Sequence, residues 1–295
     1  MAKSIGIVGG GALGTLLASR LLAAGADVCV VARSGSRHEA LKRDHPSLRA
    51  GAEFGIVSSA DLLFLCVKSY HTRDVARSLA ALGLERTTVC SLQNGWGHME
   101  LLDQALPHLP LLAGATSLGA YLDERGSLHA TERGTTILAP WRPDDLRLAE
   151  SAAEVLRSAG LNSEVRPDAR AVLWRKLVLN SAVNPVTALA RCTNGALLQE
   201  SGLFEIALQA AREAARVGRK LGVLDPDFDP DEALGAILRE TAANLSSMRE
   251  DLSRGRRTEV EEITGSVVRL AESAGEPAPV QGALLTLMRA AERRL

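Results

Sequence analysis

A glycine-rich turn near the start of the chain lies between an apolar run and a segment of helical periodicity. The apolar run at residues 5–8 leads into Gly9, Gly10, Gly11, Ala12, Leu13 and Gly14. In this context the G-x-G-x-x-G spacing predicts a strand, a tight turn and the start of a helix. Gly9 allows the turn, Gly11 lets a ligand approach the backbone, and Gly14 lets the helix pack closely on the strand. The free N–H groups of such a turn favour a pyrophosphate; the alternative is a glycine-rich turn that binds no ligand.

A second strand is expected at residues 27–32, and the residue that follows it is Arg33. A site for NAD usually has an acid here, which accepts a hydrogen bond from the ribose 2′-hydroxyl, whereas a guanidinium matches a 2′-phosphate. We therefore expect the cofactor to be NADPH, with Arg33 as a ligand of its 2′-phosphate. Ser34, Ser36 and Arg37 could add further donors. The alternative is that Arg33 is an ordinary solvated side chain.

Length and composition indicate a globular protein with two domains. The chain has 295 residues, of which 46% are hydrophobic and 23% charged. Its 34 basic and 35 acidic residues leave no basic excess for nucleic acid, and no apolar run reaches the ~18 residues of a membrane span. The four cysteines and six histidines show no metal-ligand spacing. We expect a cytoplasmic protein without a signal peptide that binds no nucleic acid, no membrane and no metal.

The first half of the chain alternates between strand and helix patterns, which predicts a parallel sheet of Rossmann type with right-handed crossovers. Apolar strands are expected at residues 61–67 and 87–92, with a further strand at residues 53–57. Lys68 and Asn94 follow the two apolar strands. Because ligands bind outside the carboxyl ends of such strands, we expect both side chains to lie on the binding edge of the sheet.

A domain boundary is expected at Arg166-Pro167-Asp168. The predicted NADP-binding α/β domain therefore covers residues 1–166, and an all-α domain that carries the substrate covers residues 167–295. Almost everything after the boundary has helical periodicity. The expected helices are at residues 169–189, 203–221, 231–253, 258–273 and 281–294.

Three polar residues, Lys176, Asn180 and Asn184, are spaced by four along the first of these helices. This spacing places them on one face of the helix. Pro185 is expected to kink or end the helix, because it lacks a backbone N–H. The alternative is that the three residues are a solvated lysine and two surface amides.

Several of these segments together resemble the ketopantoate reductase family, whose members are 2-dehydropantoate 2-reductases. The segments that carry the resemblance are the glycine turn, Arg33, Val67-Lys68, Gln93-Asn94-Gly95, residues 174–185, residues 246–248 and residues 257–259. They run in order over nearly the whole chain. The resemblance implies that the helical domain is similar to that of 6-phosphogluconate dehydrogenase.

The resemblance also implies an activity, the NADPH-dependent reduction of 2-dehydropantoate to (R)-pantoate in pantothenate and coenzyme A biosynthesis. Lys176 would be the catalytic lysine and Glu259 the active-site glutamate, while Lys68 and Asn94 would contact the cofactor and the substrate. The residues that would bind substrate are Asn94, Lys176, Asn180, Asn184, Asn244 and Ser247. Asn244 and Ser247 are expected on one helix, three residues apart, where they can face the same way. The implied partner is a small 2-oxo acid, and a homodimer is compatible with this interpretation.

The residue types agree with that chemistry, because hydride addition to a carbonyl leaves an alkoxide that a nearby ammonium can stabilise and protonate. A lysine with its ordinary pKa of ~10.4 is a reluctant acid at neutral pH. Burial or a cation such as Lys68 or Arg175 would lower the pKa of Lys176, whereas Glu259 would raise it. Two alternatives stay open, a related NADPH-dependent 2-oxo acid or 3-hydroxy acid reductase and a protein that senses NADPH without catalysis.

Overall fold

A computed structural model of the chain describes residues 4–123, 125–130 and 134–294. These residues form two compact units. The first unit comprises the residues up to Gln93 and the segment His98–Val172. The second comprises the short segment Asn94–Gly97 and the residues from Leu173 onward. The chain therefore leaves the first unit for the last time between Val172 and Leu173, a few residues after the domain boundary expected at residue 166.

The strands of the first unit are β1 (Ser4–Val8), β2 (Asp27–Val31), β3 (Arg49–Gly51), β4 (Leu62–Leu65), β5 (Thr88–Ser91), β6 (Leu111–Thr116), β7 (Ala120–Leu122), β8 (Leu128–Ala130), β9 (Thr135–Pro140) and β10 (Asn162–Val165). Within the described residues, β7 and β8 form a separate hairpin, and the others form one sheet in the order β10-β9-β6-β5-β4-β1-β2-β3. In the part of the sheet with the order β6-β5-β4-β1-β2-β3, every pair of neighbouring strands is parallel. Strand β9 is antiparallel to β6, and β10 follows the direction of β9. The expected α/β class with a mostly parallel sheet is therefore confirmed.

The helices of the first unit are α1 (Ala12–Ala23), α2 (Gly35–Asp44), α3 (Thr72–Ala80), α4 (His98–Ala105) and α5 (Leu146–Ser158). Strand β4 is buried along its whole length, as expected of a central parallel strand that is covered on both faces. Ile5, Ile7 and Phe64 are among the side chains that form this core.

The strand expected at residues 53–57 is wrong, because Phe54–Val57 forms a 3₁₀ helix and the neighbouring strand is β3. The backbone N–H groups of this segment bond to nearby carbonyls instead of to a sheet partner. The Ile56 N–H donates to Glu53 O and the Ser58 N–H to Gly55 O. The apolar residues of this segment therefore do not indicate strand pairing.

The second unit is helical over its described residues. Its helices are α6 (Ala169–Ala190, which begins in the first unit), α7 (Ser201–Lys220), α8 (Pro230–Glu240), α9 (Ser247–Ser253), α10 (Thr264–Ala274) and α11 (Pro279–Glu292). Trp174, Leu234 and Met288 are fully buried in its core. The all-α second domain is thus confirmed. Across the described residues, no helix has both the length and the apolar character needed to cross a bilayer.

The single helix expected at residues 231–253 is wrong, because the chain forms α8 and α9 with a turn between them. The turn uses its carbonyls elsewhere: Asn244 O accepts from the Asn194 N–H and Ala242 O from the Gly195 N–H, each at 3.0 Å. The hydroxyl of Ser246 then caps the start of α9. These two carbonyls bind another segment and are not available for helical hydrogen bonds, and Ser246 caps a new helix. The helix therefore cannot continue through this turn.

Of the two effects expected of Pro185, a kink or an end of the helix, the end is wrong, because helix α6 continues through Pro185 to Ala190. A proline removes one backbone donor from the helix. The neighbouring Val183 and Val186 are buried in the helical core, and this packing holds the last turns in place. The polar residues of α6 therefore lie on one continuous helix.

Candidate active site

The glycine turn connects β1 to α1 as expected, and two of its glycines are required by close contacts. Gly9 has a φ of +119°, and a Cβ there would lie 2.8 Å from the carbonyl carbon of Cys66. A Cβ on Gly14 would lie 1.9 Å from Gly9 O. At Gly11, by contrast, a Cβ would meet no atom within 4 Å, and the residue is exposed. The turn is thus closed where helix and strand meet and open at Gly11, which fits the approach of a dinucleotide phosphate to the backbone.

Two arginines lie beside this turn. Arg33 is exposed just after β2. Arg37, on α2, donates from Nε to Gly10 O and from a terminal nitrogen to the Thr15 hydroxyl, both at 2.6 Å. Burial lowers the pKa of the Arg37 guanidinium from its ordinary value. The structure therefore makes Arg37 part of the turn itself, although the sequence signal for it is only its position after Arg33.

Lys68 is half-buried at the carboxyl end of β4, on the same edge of the sheet as the glycine turn. The backbone around it is held by Gln93 at the end of β5. The side-chain amide of Gln93 donates to Val67 O at 3.2 Å and to the Thr72 hydroxyl at 2.9 Å. The predicted placement of Lys68 on the binding edge of the first unit agrees with this geometry.

Asn94 and Glu259 are brought together inside the second unit, although they are 165 residues apart in sequence. The side-chain amide of Asn94 donates to Glu259 Oε2 at 3.2 Å. Glu259 is buried, with 4% of its surface exposed. A hydrogen bond to the charged form of a buried carboxylate stabilises that charge. Two side chains that the sequence suggests separately are therefore one polar pair.

Lys176 is half-buried on α6 and electrostatically linked to the same glutamate. Burial lowers the pKa of the Lys176 ammonium to about 8, and the negative charge of Glu259 acts in the opposite direction. Arg175, which the sequence offered as a neighbouring cation, instead forms an ion pair with Asp225 and lies over the ring of Phe228. The pKa is thus lowered by burial and not by Arg175.

Asn180 and Asn184 follow Lys176 along the unbroken α6 at intervals of four residues, so the three side chains share one face of the helix. Asn180 is half-buried and Asn184 is buried. The polar stripe therefore passes from the ammonium into the interior of the second unit. Amide groups at such depth can both donate and accept hydrogen bonds, which suits hydroxyl and carbonyl oxygens of a ligand.

Asn244 and Ser247 lie on either side of the cap of α9, so the expectation that they share one helix is wrong. Asn244 is half-buried in the turn, and Ser247 is the exposed first residue of α9. Between them, Ser246 connects this region to α6, because its hydroxyl oxygen lies 2.7 Å from that of Thr187. Thr187 follows Asn184 by one turn, and the sequence offers no other signal for it. This contact brings the start of α9 to the end of the polar stripe.

The arrangement combines a cation, a buried anion and several amides. An ammonium with a pKa of about 8 exchanges its proton readily near neutral pH. The buried carboxylate of Glu259 keeps it charged, and the amides can orient an oxygen-rich ligand. The site can therefore bind a polar molecule and donate a proton to an oxygen that gains negative charge.

The cysteines do not suggest another chemistry. Burial raises the pKa of the Cys66 thiol to about 12 and raises that of Cys90 further, and Cys29 is also buried. A thiol with a raised pKa is a poor nucleophile and a poor metal ligand. In the part of the chain that the structure describes, no three His, Cys, Asp or Glu side chains lie close enough to hold a metal ion.

Comparison with known proteins gives a consistent result for both halves of the chain. Residues 5–143 match the family model "Ketopantoate reductase PanE/ApbA", and residues 168–292 match "Ketopantoate reductase PanE/ApbA C terminal". A relative from Archaeoglobus fulgidus named 2-dehydropantoate 2-reductase is 37% identical over 99% of both chains. A protein of the same name from Pyrococcus horikoshii is 32% identical over 97% of this chain and 96% of its own.

Solved structures show the same likeness. A crystal structure of a PanE/ApbA family ketopantoate reductase from Ralstonia eutropha JMP134 superimposes with a TM-score of 0.86, at 26% identity and with 99% of each chain covered. Fold, family models and full-length relatives agree along the whole chain. We conclude that the chain belongs to the ketopantoate reductase family.

Proposed function

We propose that the protein reduces 2-dehydropantoate to (R)-pantoate with NADPH, as a step of pantothenate and coenzyme A biosynthesis. The relatives that share its full length carry the name of this reaction. The observation that supports the proposal best is Lys176, a half-buried lysine with a pKa of about 8 that is coupled to Glu259. Carbonyl reduction needs a proton donor at neutral pH, and an ammonium of this kind can supply that proton.

Lys176 is the general acid of the proposed reaction. When bound, reduced NADPH would supply the hydride that the C2 carbonyl carbon of the substrate takes up. The carbonyl oxygen then gains negative charge, which the Lys176 ammonium stabilises by hydrogen bonding. The proton passes from Nζ of Lys176 to this oxygen, so the product is an alcohol and the lysine is left neutral.

In the proposal Glu259 sets the charge of Lys176, and the amide side chains orient the substrate. The charge of Glu259 raises the pKa of Lys176 against the effect of burial and so keeps the ammonium protonated. Asn94 holds the carboxylate of Glu259 in place through its hydrogen bond. In the proposal Asn180 and Asn184 bind the hydroxyl and carbonyl oxygens of the substrate.

The carboxylate of the substrate is assigned to Asn244 and Ser247. Their position at the start of α9 supports this assignment, because an amide and a hydroxyl there can both donate to a carboxylate oxygen.

The cofactor is assigned to the first unit, whose open turn at Gly11 fits a dinucleotide phosphate. In the proposal the backbone of the glycine turn binds the pyrophosphate, and Arg33 binds the 2′-phosphate. Arg37 supports the turn through Gly10 and Thr15, and Lys68 lies on the same sheet edge. An exposed guanidinium at the end of β2 favours NADPH over NADH.

The decisive assay follows NADPH absorbance with a panel of 2-oxo acids. We expect 2-dehydropantoate to be reduced far faster than pyruvate or 2-oxoisovalerate. Equal or faster turnover of those two acids would overturn the substrate assignment and favour a related 2-oxo acid reductase. An absence of turnover with every acid, combined with tight NADPH binding, would favour a sensor of NADPH.

Lys176→Ala tests the general acid in the same assay. We expect kcat to fall by on the order of a hundredfold or more while NADPH binding persists. The matched control is Lys220→Ala, which removes an exposed lysine at the end of α7. A Lys176→Ala protein as active as the control would exclude Lys176 as the proton donor.

A further inference from the structure

The loop Asn94–Gly97 follows strand β5 in sequence but belongs to the helical unit. Its path depends on two glycines, because Gly95 and Gly97 have φ values of +91° and +92°. A Cβ on Gly95 would lie 2.4 Å from Glu262 O, so only glycine allows the loop to approach this carbonyl. The residue between the two glycines is Trp96.

Trp96 attaches the loop to the helical unit through its backbone and its ring. Its N–H donates to Glu262 O at 3.0 Å. Its ring packs edge to face on the ring of Trp174, with centroids 4.7 Å apart and planes at 80°. This is a favoured geometry for an aromatic pair.

Trp174 is a rigid support for that ring. It is fully buried on α6, and its indole N–H donates to Ala214 O at 3.0 Å. Gly218 lies so close that a Cβ there would come within 2.0 Å of the indole nitrogen. The position of Trp174 is therefore determined by α7, and Trp96 packs against a side chain that cannot easily move.

Both ends of the loop contact one short segment of the helical unit. Asn94 donates to the side chain of Glu259, and Trp96 donates to the backbone of Glu262. The two glutamates are one turn apart, and the Glu262 N–H donates to Glu259 O at 3.2 Å. A displacement of Trp96 would therefore be transmitted to Asn94 and to its hydrogen bond with Glu259.

We infer that Trp96 is a positioning residue, which holds the amide of Asn94 against Glu259 by anchoring the loop on Trp174. This inference rests on the proposed function, in which Glu259 controls the charge of Lys176, and on the substrate contact that the family resemblance implies for Asn94. The proposed reaction uses no group of Trp96, so Trp96 acts on the reaction through Asn94.

The test is a double-mutant cycle with Trp96→Ala, Asn94→Ala and the double variant, in the full-length protein. We expect Trp96→Ala to raise KM for 2-dehydropantoate roughly tenfold. In the Asn94→Ala background, Trp96→Ala should change KM by less than about twofold, since its target is already absent. Trp96→Phe keeps an aromatic edge on Trp174 and should stay within about threefold of the parent KM.

The control is Phe204→Ala, which truncates another partly buried aromatic residue of the helical core. It should lower the thermal stability of the protein without changing KM, which separates loss of packing from loss of positioning. Multiplicative effects of Trp96→Ala and Asn94→Ala would overturn the inference, as would an unchanged KM in Asn94→Ala. If the parent protein does not reduce 2-dehydropantoate at all, the proposed function itself fails.

Discussion

The ammonium of Lys176 shows how two opposing effects set the chemistry of one side chain. Burial lowers its pKa to about 8, and Glu259 limits that decrease. A lysine near its ordinary pKa of ~10.4 gives up its proton reluctantly, whereas a much lower pKa would leave it uncharged at neutral pH. This balance keeps most of the amine protonated at pH 7 and makes it more acidic than an ordinary lysine.

The first prediction concerns the pH dependence of this group. We expect kcat for reduction to fall as the pH rises through about 8, because a neutral amine has no proton to donate. Glu259→Gln removes the charge that raises the pKa of Lys176, so the fall should begin at a lower pH. The measurement is kcat against pH at saturating substrate and NADPH. If Glu259→Gln has the same dependence of kcat on pH as the parent, the assigned effect of Glu259 on the pKa of Lys176 is contradicted.

The second prediction separates the two arginines beside the glycine turn. Arg33→Ala should weaken NADPH binding by roughly tenfold or more and leave NADH binding nearly unchanged, because it removes a donor to the 2′-phosphate alone. Arg37→Ala should weaken both cofactors, since Arg37 bonds to the turn at Gly10 and Thr15. Titration of each variant with both cofactors gives the Kd values. Arg43→Ala, an exposed arginine later on α2, is the control.

At the scale of elements, sequence periodicity predicts buried faces better than it predicts hydrogen bonding. The long helix α6 and the buried strand β4 could both be predicted, because local pattern and tertiary packing agree there. The break between α8 and α9 could not. It is set by the N–H groups of Asn194 and Gly195, which come from a distant part of the chain.

The start of α11 illustrates a stabilising contact of the same nonlocal kind. Glu213 on α7 is 3% exposed, and its carboxylate accepts from the N–H groups of Val280 at 3.0 Å and Gln281 at 2.9 Å. These groups are among the unpaired donors at a helix N-terminus, where a negative charge is also favoured by the helix dipole.

The third prediction follows from this contact. Glu213→Ala should lower the free energy of unfolding by about 1–3 kcal/mol, because buried N–H groups lose their acceptor. Asp229→Ala removes an exposed cap of α8 and should cost only about 1 kcal/mol. Urea denaturation of both variants measures the difference. An effect of Glu213→Ala no larger than that of Asp229→Ala would contradict the buried role of Glu213.

At the scale of the whole molecule, the division into an α/β unit and a helical unit could be predicted because each half has its own pattern. The residues of the site could be proposed from their types and from the family resemblance. Their pairing could not, since contacts such as Asn94 with Glu259 join positions 165 residues apart. Trp96 and Arg37 depend in the same way on the path of the folded chain.

The fourth prediction concerns the stability of the folded protein against pH. Burial raises the pKa of the Glu262 carboxyl, so ionisation of this group disfavours folding. A carboxyl whose pKa is raised in the folded state stabilises the folded protein at low pH, and this stabilisation is lost as the pH rises through the folded-state pKa. Glu262→Gln should therefore gain stability relative to the parent as the pH is raised from about 4.5, the ordinary pKa of a glutamate, towards neutrality. Unfolding curves across this range measure the difference, and a gap that is constant or reversed would refute the prediction.

The route of the loop Asn94–Gly97 limits how this protein can be divided. A cut between Val172 and Leu173 would separate most of the two units, yet it would leave Trp96 and Asn94 on the wrong fragment. Neither piece could be exchanged with a homologue as an independent module. Chimaeras of such reductases would need to transfer this four-residue loop together with the C-terminal half.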